Sequence, residues 1–370
     1  MVIGIISVVY GLTFNPARAW GNILICNFYF ISLAIGATFF MALQSITQSG
    51  WSSMFKRVPE AMGTYLPYAG LLMLLFVIFG AYHVYPWTHA DPVKHDSILL
   101  HKTPYLNMTF FIVRFVLFFA AWIVLTRLLR KYSIREDREG GVTWFQKSEF
   151  ISKVYIFTLA LTFSLAAFDW IMSIDTHWFS TIFAFKNFVS AFYHGAATIT
   201  LIVILLNRQG YFSNLNDSHL HDFSKYIFML SIIWGYMWFA QFFLIWYANL
   251  PEETIYYVQR MGKEWKVIFL LDISINWMFP FLFLMLNKIA KNRIALFFTA
   301  IIVLIGMWLD LYLQVMPGIT GKNNVGFAEI GTYAGFLGLF IFSVGRALSK
   351  ANIIPVNHPY LEESLLHKVH

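Results

Sequence analysis

Apolar stretches of about 20 residues, separated by short polar segments, recur along almost the whole chain. A transmembrane helix needs roughly 20 apolar residues, so this pattern predicts a helical membrane protein with many spans. Ten spans are predicted, over residues 1–14, 22–47, 64–86, 105–127, 149–172, 179–206, 224–248, 265–289, 294–316 and 329–348. The first holds about 14 residues, fewer than the roughly 17 that a span requires. It is therefore expected to be tilted or partial, or to be preceded by further sequence.

A weak internal repeat predicts how the spans are grouped. Asn27 in the second span matches Asn187 in the sixth, and Gly36 falls near Gly195. The offset equals four spans, so the two copies run in the same direction. We therefore expect an all-α fold of two four-helix bundles, spans 2–5 and 6–9, with one flanking helix at each end. The predicted segments are a first transmembrane helix (1–21), a first bundle (22–178), a second bundle (179–317), a last transmembrane helix (318–348) and a cytoplasmic tail (349–370).

Charge sets the expected orientation. The 370 residues are 59% hydrophobic and only 12% charged, against roughly 25% charged residues in soluble domains. The net charge of +7 does not indicate a nucleic-acid partner. In a membrane protein Lys and Arg are usually sorted by membrane side, so their distribution matters more than their sum. If the N-terminus is cytoplasmic, the cytoplasmic loops and tail hold sixteen Lys and Arg residues and the outer loops hold seven. This excess predicts that both termini are cytoplasmic. RLLRKYSIREDREGG is then the main cytoplasmic loop, and WSSMFKRVPEAM is expected to be a short interfacial helix with a basic face.

Few residues suit a redox cofactor. Cys26 is the only cysteine, which excludes an internal disulfide and an iron–sulfur cluster held by this chain alone. His83 and His194 are the only histidines inside predicted spans, and they lie at different depths, so no haem is expected. The outer loop after the third span lacks close metal-ligand spacing and is expected to be solvated or to contact a partner. Its histidines and acidic residues are His89, His95, His101, Asp91 and Asp96.

Ionisable residues inside the spans are the strongest functional signal, because such groups are costly at membrane depth. At 1.5 Å per residue, five of them lie about 5 to 13 Å from the outer end of their spans, and His83 lies at the outer rim. They are expected to form one cluster. It is either a set of structural ion pairs or a proton-conducting or quinol-headgroup site, and both interpretations stay open. The five residues are Arg114, Asp169, Lys186, Asp272 and Asp310.

A polar stripe continues inward on the sixth span. Lys186, Ser190 and His194 follow at four-residue spacing, so they share one helix face. Asp272 and Asn276 form a similar pair on the eighth span. A stripe that runs inward from the outer half suits a proton path. The alternative is a single buried His194 hydrogen-bonded to a backbone carbonyl.

Two longer stretches carry a resemblance to a known family. FDWIMSIDTHWFSTIF (168–183) and FFLIWYANLPEETIYY (242–257) resemble the second membrane subunit, the F subunit, of bacterial alternative complex III. The likeness continues through WSSMFKRVPEAM and the ten-span plan. That complex is a quinol:cytochrome c oxidoreductase of the inner membrane. The resemblance implies an NrfD/PsrC-like fold with a pair of four-helix bundles.

The resemblance also implies a role. Electrons would pass from menaquinol to cytochrome c or to an oxidase, with the haems and iron–sulfur clusters on other subunits. This chain would then have no covalently bound cofactor, and menaquinol is its candidate ligand beside membrane lipid. Its expected partners are the NrfD-like C subunit, the iron–sulfur subunit, the c-type haem subunits and the bilayer. It would be a structural companion of the quinol-oxidising subunit, with a proton path or a quinone contact.

Two other functions stay open from the sequence. One is a secondary transporter with parallel repeats, which Pro280 weakens because it is the only proline well inside a predicted span. The other is a purely structural membrane anchor, in which the buried charges only hold helices together.

Overall fold

The computed structural model describes residues 1–89, 93 and 95–368. These residues form helices and connecting turns and contain no β-strand. Nine helical segments among them are long and apolar enough to cross a membrane. The prediction of an all-helical, multi-pass membrane protein is therefore confirmed. The nine segments are Pro16–Ile46, Ser53–Phe79, Met108–Glu139, Thr143–Ile174, Thr181–Arg208, Asp217–Ala248, Lys266–Leu284, Arg293–Thr320 and Phe327–Leu348.

Several of these segments contain breaks. In chain order the helices are α1 (Val2–Phe14), α2 (Pro16–Ile46), α3 (Arg57–Gly63), α4 (Leu66–Phe79), α5 (Ala81–Val84), α6 (Ser97–Lys102), α7 (Met108–Glu139), α8 (Thr143–Trp170) and α9 (Thr181–Arg208). They continue with α10 (Asp217–Ala248), α11 (Pro251–Arg260), α12 (Lys266–Ile273), α13 (Phe279–Leu284), α14 (Asn287–Ala290), α15 (Arg293–Thr320), α16 (Phe327–Leu348) and α17 (Leu361–Leu365). A π-helical turn, Ser274–Met278, joins α12 to α13.

Short polar residues begin and end the long helices. Oδ1 of Asn15 accepts the backbone N–H of Arg18 at 3.1 Å, and Pro16 occupies the first turn of α2. Asn292 caps α15 in the same way. These are the preferred N-terminal signals, since the first backbone N–H groups of a helix have no partner within it. At the other end of α10, Asn249 adopts a left-handed conformation with φ of 50° and stops the helix.

The first predicted span corresponds to α1, which is shorter than the nine long segments. α1 contains 13 residues and runs antiparallel to α16, with Ser7 donating a hydrogen bond to the carbonyl of Phe327 at 3.0 Å. Near the middle of α16, a Cβ on Gly4 would lie 2.3 Å from Cα of Gly335, so the two backbones touch. Of the ten predicted spans, nine are long enough to cross a membrane within the described residues.

The two central helices are α2 and α9. The apolar window of α2 is 94% buried and that of α9 is 78% buried, more than in any other span of the described chain. They cross at two glycines, where a Cβ on Gly36 would lie 1.9 Å from the carbonyl oxygen of Ala191. A Cβ on Gly195 would lie 2.7 Å from the carbonyl carbon of Gly36. Gly36 and Gly195 are the pair that the repeat matches, so the two matched helices meet at matched positions.

Two predictions about polar segments are wrong. Residues 127–141 were expected to form a loop, but α7 continues to Glu139. Residues 51–62 were expected to present a basic face at the membrane surface. They do contain α3, but Lys56 is 7% exposed and Arg57 is 1% exposed, because both side chains turn inward to acidic partners.

The two ends of the bundle are named by the predicted orientation. The inner face carries the C-terminal tail and the connections at 47–56, 140–142, 209–216 and 285–292. The outer face carries the connections at 171–180, 249–265 and 321–326.

Candidate functional site

Arg114 of α7 and Asp169 of α8 form the first buried ion pair of the outer half. Nε of Arg114 donates to Oδ2 of Asp169 at 2.6 Å, and Nη2 donates to Oδ1 at 3.1 Å. Nη1 donates to the carbonyl of Tyr105 at 3.1 Å, and the guanidinium lies 3.9 Å from the Tyr105 ring centroid. Both carboxylate oxygens and the planar face of the cation are therefore engaged, as in a bidentate structural pair.

A second buried ion pair joins α9 to α15. Nζ of Lys186 lies 2.6 Å from Oδ1 of Asp310 and 5.3 Å from the ring centroid of Trp234 on α10. Oδ2 of Asp310 has no hydrogen-bond partner among the residues that the structure describes. This pair therefore leaves one carboxylate oxygen unsatisfied in the core, which is costly.

Asp272 connects to His194 through one amide. Nδ2 of Asn276 donates to Oδ1 of Asp272 at 2.8 Å, and Oδ1 of Asn276 lies 3.2 Å from Nε2 of His194. Nδ1 of His194 lies 2.6 Å from the carbonyl oxygen of Ser190 and 3.2 Å from its hydroxyl oxygen. Lys186 and Asp310 are close enough to act electrostatically on Asp272. We call these six residues the α9 network: Lys186, Ser190, His194, Asp272, Asn276 and Asp310.

The expected single cluster is thus divided in two. The structure brings Lys186, Asp272 and Asp310 together with His194, and it places Arg114 and Asp169 in a separate pair. His83 lies apart from both groups. It is exposed at the end of α5, beside the ring of Tyr82.

The polar stripe on α9 lies where the periodicity predicts it. Lys186, Ser190 and His194 are all buried on one face, and the hydroxyl of Thr198 donates to the carbonyl of His194 at 2.8 Å. At 1.5 Å per residue, the stripe from Lys186 to Thr198 covers about 18 Å of membrane depth. The alternative interpretation was a single buried His194 bonded to a backbone carbonyl. Its ring does contact such a carbonyl, that of Ser190. The ring contacts Asn276 as well, so it is a member of a network.

A cleft of about 220 Å³ opens at the outer face, between the 171–180 connection and α11. Its walls include Asp175, His177 and the stacked rings of Trp178 and Tyr256, whose centroids are 3.9 Å apart. Nη2 of Arg260 on α11 donates to Oδ2 of Asp175 at 2.8 Å. This contact joins the two segments that line the cleft. Sequence reasoning missed this cleft, because nothing in the sequence places α11 beside the 171–180 connection.

Two histidines at the outer face make simple contacts where the structure describes them. Nε2 of His177 lies 2.5 Å from Oδ2 of Asp96, and this contact lowers the pKa of the Asp96 carboxyl. His89 packs against the ring of Tyr82. Asp91 lies outside the described residues. Among the described residues, no group of three or more His, Cys, Asp or Glu side chains is placed to hold a metal ion.

A third set of buried charges, at the inner face, was missed by sequence reasoning. Nζ of Lys56 lies 3.0 Å from Oε2 of Glu136, and Nη1 of Arg57 lies 2.6 Å from Oε2 of Glu60. Arg57 also pairs with Asp137. The spacing of Arg57 and Glu60 is a recognisable helix pair. The partners Glu136 and Asp137 lie in 127–141, which the charge pattern predicts to be a cytoplasmic loop, so the sequence does not indicate that they are buried.

The C-terminal tail covers a small cavity beside these charges. The cavity measures about 20 Å³, and its walls include Gln44, Ser45, Lys56, His358 and Tyr360. This volume has room for about one water molecule. Burial, with Lys56 and Arg57 nearby, lowers the pKa of His358 to about 2. The ring is therefore neutral in the docked tail.

No protein-family model and no curated protein matches the chain. The chemical capacity of the α9 network lies in its own side chains. Two carboxylates, one ammonium and one imidazole in a buried core can hold and exchange protons, because each can lose or gain a proton without large movement.

Proposed function

We propose that the chain is a non-redox membrane subunit of a menaquinol-oxidising respiratory complex, and that its α9 network carries protons. The proton role rests on one observation, the continuous contact from Asp272 through Asn276 to His194 and Ser190 on a buried stripe. The place in the complex rests on the resemblance of 168–183 and 242–257 to the F subunit of alternative complex III. We also propose the bacterial inner membrane, cytoplasmic termini and two four-helix bundles.

The contrast between the two ion pairs supports a proton role for only one of them. Both oxygens of Asp169 accept hydrogen bonds from Arg114, so that pair is closed. Oδ2 of Asp310 has no hydrogen-bond partner among the described residues. A buried carboxylate with a free oxygen is costly as a purely structural element. It suits a group that takes up and releases protons.

The redox chemistry of such a complex would be supplied by its C, iron–sulfur and c-type haem subunits. If menaquinol contacts this chain, the outer cleft suits its head group best. Trp178 and Tyr256 form a flat aromatic wall there. Nε1 of Trp178 is a buried donor with no partner among the described residues, as a quinol oxygen would need. In this proposal the chain orients the head group and moves protons, and it transfers no electrons.

The test uses the intact complex, purified through a tag on this chain and reconstituted into liposomes. Protons moved per electron are measured with a menaquinol analogue as donor and cytochrome c as acceptor. Asp272→Asn and His194→Gln are expected to slow proton-coupled turnover by a factor on the order of 100, as loss of an acid–base group does. Glu329→Gln is the matched control, because this carboxylate is also buried but pairs with Arg18 outside the α9 network.

The same experiment separates the alternatives. Unchanged proton yield in assembled Asp272→Asn and His194→Gln complexes would leave the chain as a scaffold. Absence of haem and iron–sulfur subunits after purification would remove the respiratory role itself.

A second candidate, an ion-coupled secondary transporter, is favoured by one feature. The eighth span is interrupted by the Ser274–Met278 π turn directly beside the α9 network, and Pro280 follows. Broken helices next to buried ionisable groups are typical of transporter sites. This candidate predicts that the chain purifies alone and exchanges a solute for protons in liposomes.

A further inference from the structure

Asn276 occupies an unusual position in the α9 network, because among the described residues its side chain alone is within hydrogen-bond distance of both Asp272 and His194. Its Nδ2 atom donates to Oδ1 of Asp272 at 2.8 Å and to the carbonyl of Asp272 at 3.2 Å. An amide nitrogen only donates and an amide oxygen only accepts. The acceptor oxygen of Asp272 therefore fixes the amide, and the amide oxygen is directed at His194.

Three neighbouring residues position Asn276 of the π turn beside His194. Pro280, four residues later, has no backbone N–H, so the carbonyl of Asn276 lacks its normal helical donor. The hydroxyl of Tyr193 donates to this carbonyl instead, at 3.1 Å, and ties the turn to α9 beside His194. Gly306 on α15 leaves the space, since a Cβ there would lie 2.4 Å from Oδ1 of Asn276. π turns within helices are frequent at functional sites.

Both ring nitrogens of His194 face oxygen atoms in this arrangement. Nδ1 lies 2.6 Å from the carbonyl oxygen of Ser190, so it must carry a proton to avoid contact between two lone pairs. Nε2 lies 3.2 Å from the amide oxygen of Asn276, which is also an acceptor. With the amide in this orientation, both ring nitrogens face acceptor oxygens, an arrangement that fits a protonated ring.

We propose that Asn276 is a positioning residue that couples the protonation of Asp272 to that of His194 through the orientation of its side-chain amide. In one state Asp272 is ionised, the amide nitrogen faces it, and His194 is protonated. In the other state the amide is rotated. Its oxygen then accepts the O–H of protonated Asp272, and its nitrogen donates to the lone pair of Nε2 on neutral His194. One proton is thus held by either Asp272 or His194, and this deepens the proposed proton role and rests on it.

The surrounding charges favour these two states over the others. Lys186 and Asp310 form an ion pair with no net charge, and both act electrostatically on Asp272 and on His194. The network is then neutral when the shared proton is on His194 and also when it is on Asp272. A state with both groups protonated, or with neither, carries a net charge in the core, which is unfavourable.

The test measures the coupling directly and requires no turnover. The chain is labelled with ¹⁵N-histidine in lipid nanodiscs, and the His194 ring signals are identified by their loss in His194→Gln. The pH midpoint of the His194 ring is compared before and after Asp272→Asn. We expect a shift of about one pH unit in the otherwise unchanged protein, as for strongly interacting sites. In an Asn276→Leu background the shift should fall to roughly a third of that value, the part due to direct Coulomb interaction.

Asn187→Leu is the matched control, because Asn187 is also a buried asparagine but its amide bonds to Phe183 and Gln314, outside the α9 network. It should leave the shift intact. If Asn276→Leu fails to fold, Gly306→Ala displaces the same amide without changing its chemistry and should also reduce the shift. An equal shift with and without the Asn276 amide would overturn the coupling. It would leave the proton role to be judged by the proton yield, which is measured separately.

Discussion

At the scale of single residues, the buried pair of Lys186 and Asp310 should behave as a unit. Lys186 is 5% exposed and Asp310 is 1% exposed, so removal of either charge leaves the other without compensation in the core. We expect Lys186→Met or Asp310→Asn alone to lower the free energy of unfolding in lipid by about 3–5 kcal/mol. The double variant should lose clearly less than the sum of the two.

The control for this cycle is an ion pair at the surface. Lys153 and Glu149 lie 2.8 Å apart on α8, and the Lys153 side chain is 57% exposed. Lys153→Gln should change the unfolding free energy little, because exposed pairs are screened by solvent. Strictly additive losses at Lys186 and Asp310 would contradict the expected coupling.

Residue patterns predicted which helix face is polar but not which partners meet. Lys186, Ser190 and His194 share a face because of helical periodicity alone, and the structure agrees. Arg114 and Lys186 lie at similar predicted depths, yet each pairs with a different aspartate. Depth along a helix follows from the rise per residue. The neighbouring helix follows from packing, which single-sequence periodicity does not contain.

At the scale of helices, the crossing of α2 and α9 should tolerate no added side chain. A Cβ on Gly36 would lie 1.9 Å from a backbone oxygen of Ala191, and backbone cannot move aside as a flexible side chain can. We expect Gly36→Ala to destabilise the protein by roughly 1–3 kcal/mol or more through overpacking. The measurement is the unfolding free energy in lipid.

Gly345 on α16 provides the contrast. Nothing lies within 4 Å of a Cβ built on it. Gly345→Ala should therefore be neutral or stabilise the helix by up to about 1 kcal/mol, through helix propensity. Similar losses at Gly36 and Gly345 would show that the crossing has no special role.

Hydropathy predicted the membrane part of each helix better than its ends. It marks only residues that suit lipid, whereas α7 continues past them to Glu139. This extension is rich in good helix formers such as Arg, Leu and Lys. Its Glu136 is buried against Lys56, so a run that reads as solvated is partly interior. Such pairing depends on tertiary contacts, and the loop prediction was wrong for that reason.

At the scale of the whole molecule, the C-terminal tail is part of the folded body. Oγ of Ser53 donates to the carbonyl of Tyr360 at 3.0 Å, and Oγ of Ser364 donates to the carbonyl of Trp51 at 2.6 Å. Hydropathy and charge assigned 349–370 only to a membrane side. Its docking could not be predicted from sequence, because hydropathy does not show which residues of the folded body the tail contacts.

Docking of this tail should weaken as pH falls. In the docked tail, Nδ1 of His358 accepts the backbone N–H of Tyr360 at 3.2 Å, which requires a neutral ring. Burial, with Lys56 and Arg57 nearby, lowers the His358 pKa from an ordinary 6.5 to about 2. The released tail therefore binds a proton that the docked tail does not. The full contribution to docking is present above pH 6.5, and it is lost progressively as pH falls from 6.5 towards 2.

Hydrogen exchange of the amides in 356–367 at pH 7, 6 and 5 measures this loss. After correction for intrinsic rates, protection should fall by up to about tenfold, or 1.4 kcal/mol, for each pH unit below 6.5. The comparison is made in a His219→Gln and His367→Gln background, since Nε2 of His219 lies 3.0 Å from the carbonyl oxygen of Ser364 and His367 lies 2.6 Å from Asp222. His358→Leu should abolish the pH dependence. Tyr360→Phe removes only a contact with Gln48, so it should lower protection equally at each pH. A slope that survives His358→Leu would assign the pH dependence to another group.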